Sequence, residues 1–205
     1  MILRSRQWWM GLGVGAVTWL TLWIIIFIAQ LGGAHPHNQW IVESYAKKMA
    51  RAKAIKGPKI VVVGGSAALF GIDSGKLEEA FNRPAVNLAV SAGIGPHAIA
   101  AYADNVIGRG DLVFMPLEYA LLTWGGLPNH VMIDYALEYP KHLSAWPFGT
   151  LLDALWQVSL LRLVEGFKGL PEGFAVVGLY GPHKTDVRGD QTGHDLASRA
   201  DYMIA

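Results

Sequence analysis

The residues with the clearest chemical potential follow a short β-branched run, Lys59-Ile60-Val61-Val62-Val63, which ends in Gly64-Gly65-Ser66. Two glycines let the backbone turn sharply, and a serine at such a strand tip can present its hydroxyl as a nucleophile. Single residues exclude four familiar loops. Ala68 breaks the G-x-S-x-G elbow and Leu69 breaks S-x-x-K. No Gly-Lys-Ser/Thr follows to make a P-loop, and Ser66 and Leu69 stand where a dinucleotide fingerprint needs glycine. Ser66 also suits a purely structural role, as the cap of the helix that follows.

Two further loops carry candidate groups. Ser91-Ala92-Gly93 follows a second apolar run, and Pro116-Leu117-Glu118-Tyr119 follows a third. Gly93 reads as a turn glycine if Ser66 is inert, and Glu118 as either a polar residue of the cleft or a solvent-facing carboxylate at a strand end. His97 sits just inside a helix start, while His130, His142 and His183 lie in loop-rich sequence without useful partner spacing. His35-Pro36-His37 has an H-x-H arrangement, but two ligands in a linker make a poor metal site. With no cysteine in the chain, thiolate sites and disulfides are excluded as well. No metal and no cofactor is expected.

The elements that must position these groups follow from patterning. The first strand at 59–63 leads to a short helix capped by Ser74 and running to Phe81, and Pro84 introduces a second strand over 85–90. Gly93, Gly95 and Pro96 open a helix to about Ile107, and 111–115 forms a third strand. This β-α-β-α-β order predicts an α/β fold, a three-layer α/β/α with parallel sheet. Ligands of such sheets bind beyond the carboxyl ends of the strands, which is where Ser66, Gly93 and Glu118 fall. Residues 123–147 read as a partly helical insertion, 150–167 as one helix, and 174–179 as a strand or surface hairpin. From Gly181 the chain turns polar.

Ahead of this body, Trp8 to Ala29 is 22 residues without a charge, long enough to cross the roughly 30 Å hydrocarbon core at about 1.5 Å per residue. A retained N-terminal transmembrane helix over about 8–30, within an anchor of residues 1–34, is expected rather than a cleaved signal peptide. Gly11 and Gly15 form a GxxxG that suits helix pairing. Arg4 and Arg6 favour a cytoplasmic N-terminus, whereas six Lys and Arg between 47 and 59 vote the other way. Residues 35–58 read as a basic amphipathic linker helix, with Trp40, Ile41, Tyr45, Met49 and Ala52 on the apolar side. It suits either a membrane surface or a solvated stalk. A net charge of +1 and the lack of a basic stripe argue against a nucleic-acid partner.

Residues 59–119 resemble the SGNH (GDSL-like) hydrolase superfamily, in its membrane-anchored cell-envelope branch with the alginate O-acetylation and DltD-like proteins. The resemblance rests on Gly64-Gly65-Ser66, on Ser66 to Asp73 as S-x-x-x-F-G-I-D, on Asn87 to Gly93, and on Pro116 to Tyr119 as P-x-E-Y. It implies that Ser66 is the nucleophile and that the backbone of Gly93, with the Ser66 N–H, holds an oxyanion. It further implies an O-acyl, chiefly acetyl, esterase or transferase working on cell-envelope or exported polysaccharide. The implied partners are the membrane, an acylated glycan and membrane proteins of an export or acylation complex. The implied place is the inner membrane, with the body over 59–205 on the periplasmic side. Two departures stand out. Pro116 to Tyr119 replaces the G-x-N block, and no D-x-x-H occurs in the sequence, Asp190 and His194 being four apart. The alternatives are therefore a base beyond residue 205, in an SGNH-like domain incomplete at its C-terminus, or a non-catalytic component that binds glycan or a partner. A weaker alternative is a cytoplasmic nucleotide-binding domain with phosphate cradled on Gly64-Gly65-Ser66.

Overall fold

The computed structural model describes residues 2–178 and 180–192. Asp190 is therefore described, whereas His194 and the end of the chain lie outside the described residues. The apolar run forms one unbroken helix, α1 (Ile2–Ala29), of which Arg6–Ala29 is long and apolar enough to cross a membrane. Its outer turns are bare, but Trp23, Ile26 and Phe27 pack against the body.

Helix α2 (Gln39–Ala54) is not a free linker. Its stripe Ile41, Tyr45, Lys48 and Ala52 is buried, because the apolar face predicted from the spacing finds the sheet instead of lipid or solvent. The strands are short: β1 (Ile60–Val62), β2 (Ala85–Asn87) and β3 (Leu112–Phe114). They pair in parallel in the order β2-β1-β3, with Val61 opposite Val86 and Val113. Bonds from Val63 N to Phe114 O and from Leu88 N to Val62 O, each 2.8 Å, extend the ladder toward the loops. Every side chain of β1 is buried, which accounts for a continuous rather than alternating run. Val61 and Val86 enter a cluster with α2 and α5 (Gly95–Asp104). Val62 enters another with Leu69 of α3 (Ser66–Gly71) and Leu77 of α4 (Ser74–Phe81).

Three local expectations change. Asp73, rather than Ser74, caps α4, its side chain accepting the Lys76 N–H at 3.1 Å. Ser74 instead gives its N–H and hydroxyl to Asp190, at 2.7 and 2.8 Å. The single helix expected over 150–167 is two, α8 (Phe148–Gln157) and α9 (Leu160–Lys168), because Ser159 caps a new start by accepting the Arg162 N–H at 3.0 Å. Residues 174–178 form no strand. Between β3 and α8 lie the short α6 (Tyr119–Leu122) and α7 (His130–Glu138), the latter almost wholly buried.

Candidate functional site

The loops after β1, β2 and β3 meet at one end of the sheet, and Glu118 ties the third to the first. Its Oε2 accepts the Gly65 N–H at 3.1 Å and its Oε1 accepts the Ala67 N–H at 2.8 Å. The two oxygens thus hold the backbone on either side of Ser66, at the start of α3, where unpaired N–H groups and the helix dipole favour an anion. The Ser66 hydroxyl is half-buried and makes no hydrogen bond among the described residues.

The double glycine is required by packing rather than by backbone twist. A Cβ on Gly65 would lie 2.5 Å from both Ala92 N and Glu118 Oε1. One on Gly64 would lie 2.9 Å from the Ala68 Cβ. The loops after β1 and β2 therefore touch backbone to backbone, and any side chain at 65 would push them apart. Gly93 lies in the same region, but its N–H donates to Ser91 Oγ at 3.1 Å. To hold an oxyanion it would first have to release Ser91.

The Glu118 carboxylate also answers the phosphate-cradle alternative. A phosphate on Gly64-Gly65-Ser66 would meet a side chain of its own sign already bonded to the N–H groups it needs. No histidine is hydrogen-bonded to Ser66 among the described residues. His97 stacks edge-on against Trp124 with ring centres 5.3 Å apart, and His130 and His183 are exposed. His142 is buried beside Tyr102 and Tyr135, and burial, followed by the nearby Lys141 charge, pushes its imidazole down to about 4.

Below the loops runs a polar network that the motifs did not reveal. Asp190, besides Ser74, accepts from the Asn87 side chain at 3.0 Å, and Arg188 O accepts the Asn87 N–H at 2.8 Å. The polar segment after Gly181 is thereby fixed along the outer edge of β2, which it covers. Lys48 is buried nearby and donates to Ala89 O at 2.5 Å. Burial brings its amine down to about 7 against the opposing pull of Asp190 and Asp186. Its position was readable, since residues 41, 45, 48 and 52 lie on one helical stripe.

A second polar cluster sits where α1 joins the body. Arg162 is buried and meets Asp134 at 2.8 Å and the Gln30 side chain at 3.2 Å. His35 is buried beside it, 3.5 Å from Glu165. Burial and then the Arg162 charge hold its imidazole below the ordinary value. Arg162, Asp134, His35 and Glu165 line a cavity of about 210 Å³ with His37 and His130. The His35 and His37 rings are 4.8 Å apart, yet no group of three or more His, Asp or Glu among the described residues has a metal-holding arrangement.

Compared with known proteins, the chain matches no family model, no curated protein and no solved structure.

Proposed function

We propose that this chain is a membrane-anchored, SGNH-like protein that handles O-acyl groups, chiefly acetyl, on a cell-envelope or exported polysaccharide, with Ser66 as the acyl-accepting residue. The observation that carries this reading is the position of Ser66. Its hydroxyl, without a hydrogen bond among the described residues, stands in the loop just past the central strand, between two N–H groups that Glu118 holds fixed. In this reading the body is a three-layer α/β/α domain of the SGNH or flavodoxin-like type. The separate clusters on the two sides of the sheet support it. α1 is its single-pass anchor in the inner membrane, with Arg4 and Arg6 cytoplasmic and the body periplasmic.

The chemistry is acyl transfer. Ser66 Oγ forms a bond to the ester carbonyl carbon while its proton passes to a base, and the Ser66 N–H faces the oxyanion. Collapse expels the sugar hydroxylate, which takes up a proton. Water then releases the acyl group in an esterase, and a second sugar hydroxyl receives it in a transferase. Glu118 is a positioning residue here, because it acts through the backbone that carries Ser66.

Two contacts favour a second reading, a non-catalytic component that binds glycan or a membrane protein partner. Gly93 N–H is already given to Ser91, and a carboxylate beside the loop opposes charge on an oxyanion. A serine-directed fluorophosphonate probe on the full membrane-embedded chain separates the two. Labelling that Ser66→Ala abolishes supports acyl transfer; a folded chain that takes no label supports the binding component.

A further inference from the structure

We propose that α8 and α9 form a helical hairpin inserted among the lipid acyl chains of one leaflet, beside α1. The inference rests on α1 being a membrane span, and depth along α1 carries it. The uncharged run from Trp8 to Ala29 covers about 33 Å at 1.5 Å per residue, scarcely more than the hydrocarbon thickness of about 30 Å. Such a span has no turns to spare outside the lipid, so residues well inside it mark hydrocarbon depth. The hairpin touches α1 there. Trp23 Nε1 donates to Leu155 O at 2.8 Å, and the Trp19 and Trp156 rings stack with centres 6.0 Å apart. Trp19 lies about 15 Å along the axis before Ala29, near the middle of the bilayer. The end of α8 and the link to α9 reach that depth with it.

The hairpin is built to be there. Leu152, Trp156, Leu160, Leu161, Val164 and Phe167 are exposed on its outer side, Leu160 and Leu161 by about two thirds. Apart from the exposed Gln157 and Ser159 at the link, the exposed side is apolar; in water it is costly, whereas acyl chains cover it directly. The charges of α9 avoid this surface. Arg162 is buried against Asp134, Glu165 is half-buried 3.5 Å from His35, and Lys168 stands at the helix end, where its stem can reach the interface. From Phe148 to Leu161 the single charged side chain, Asp153, is half-buried. In the two-residue link Val158 N is bonded to Ala154 O and Ser159 O accepts from Leu163 N, which satisfies two of its four backbone groups. With α1, the hairpin gives the body two attachments and fixes the height of the sheet loops above the membrane.

The chain has no cysteine, so single-cysteine variants of the full protein carry one spin label each. We would place labels by Leu152→Cys, Leu161→Cys and Phe167→Cys in phosphatidylcholine–phosphatidylglycerol nanodiscs. Val17→Cys in the span and Lys76→Cys on the exposed start of α4 serve as references. Collision with oxygen, which dissolves in lipid, is compared with collision with a polar nickel chelate, which does not. For Leu161, beside the deep link, the oxygen-to-nickel ratio should match that of Val17 and exceed that of Lys76 by about tenfold or more, as exclusion of a polar complex from hydrocarbon requires, while Leu152 and Phe167, nearer the interface, should fall between the two references. A ratio at these sites like that of Lys76, with Val17 still protected, overturns the hairpin while leaving the anchor intact. Protection from both reagents means that protein covers the face, a second copy included, and also overturns it. Nickel access at Val17 removes the anchor and the hairpin together.

Discussion

Truncating Glu118 to alanine removes the acceptor of the Gly65 and Ala67 N–H groups at once. A hydrogen bond to a charged group contributes about 1.5–3 kcal/mol when shielded and less in contact with water. The 3.1 Å bond to Gly65 is partly buried and the 2.8 Å bond to Ala67 is exposed, which places the pair near the low end, about 2 kcal/mol together. For a chain of this size each kcal/mol shifts the melting temperature by about 2–4 °C, so Glu118→Ala should lower it by about 4–8 °C. Glu118→Gln keeps one acceptor without the charge and should lose roughly half as much. Thermal unfolding of the full chain in detergent, followed by circular dichroism, reads both values. Hydrogen exchange reads the cause, since the Gly65 and Ala67 amides should lose protection while those of β1 keep theirs. Unchanged exchange at Gly65 and Ala67, with melting within about a degree of wild type, would refute the role assigned to Glu118.

Gly65→Ala should cost about 1–3 kcal/mol by overpacking, because the new methyl meets the Ala92 backbone at 2.5 Å; denaturant titration gives the value. Arg162→Met should be worse, about 3 kcal/mol or more, since it strands Asp134 in a mostly buried site; Asp134→Asn in the same chain should recover part of the loss. His142 is held neutral in the fold with a pKa of about 4. Its stabilising contribution is therefore complete above the unfolded value of 6.5 and falls as pH drops from there toward 4, because only the unfolded chain takes up the proton. In His142→Gln the decline of the chemical-denaturation midpoint over that window should be shallower.

The sheet was legible because burial on both faces leaves an unmistakable β-branched run at 60–63, and the alternation with helices specified parallel pairing. The apolar span was legible for the same reason, as a run too long for a core helix end. What escaped the sequence depends on partners distant along the chain. Asp73 and Ser74 are both good caps, and only the bond from Ser74 to Asp190 decides between them. Glu118 reaches Gly65 across 53 residues, so its position after a strand was visible but its grip on the serine loop was not. Lys48 counts among the six basic residues between 47 and 59, although its spacing places it on the buried stripe of α2. The break before α9 was masked by apolar residues on both sides, while Ser159 three residues before Arg162 carried the only signal.

Whether Ser66 accepts an acyl group is tested most directly by acetylating the full chain in detergent with 4-nitrophenyl acetate, quenching in acid, and locating the adduct by peptide mass spectrometry. The account predicts an acetyl group on the peptide containing Ser66, absent from Ser66→Ala. An unmodified Ser66 in a folded wild-type chain, or equal acetylation of the alanine variant, would contradict it.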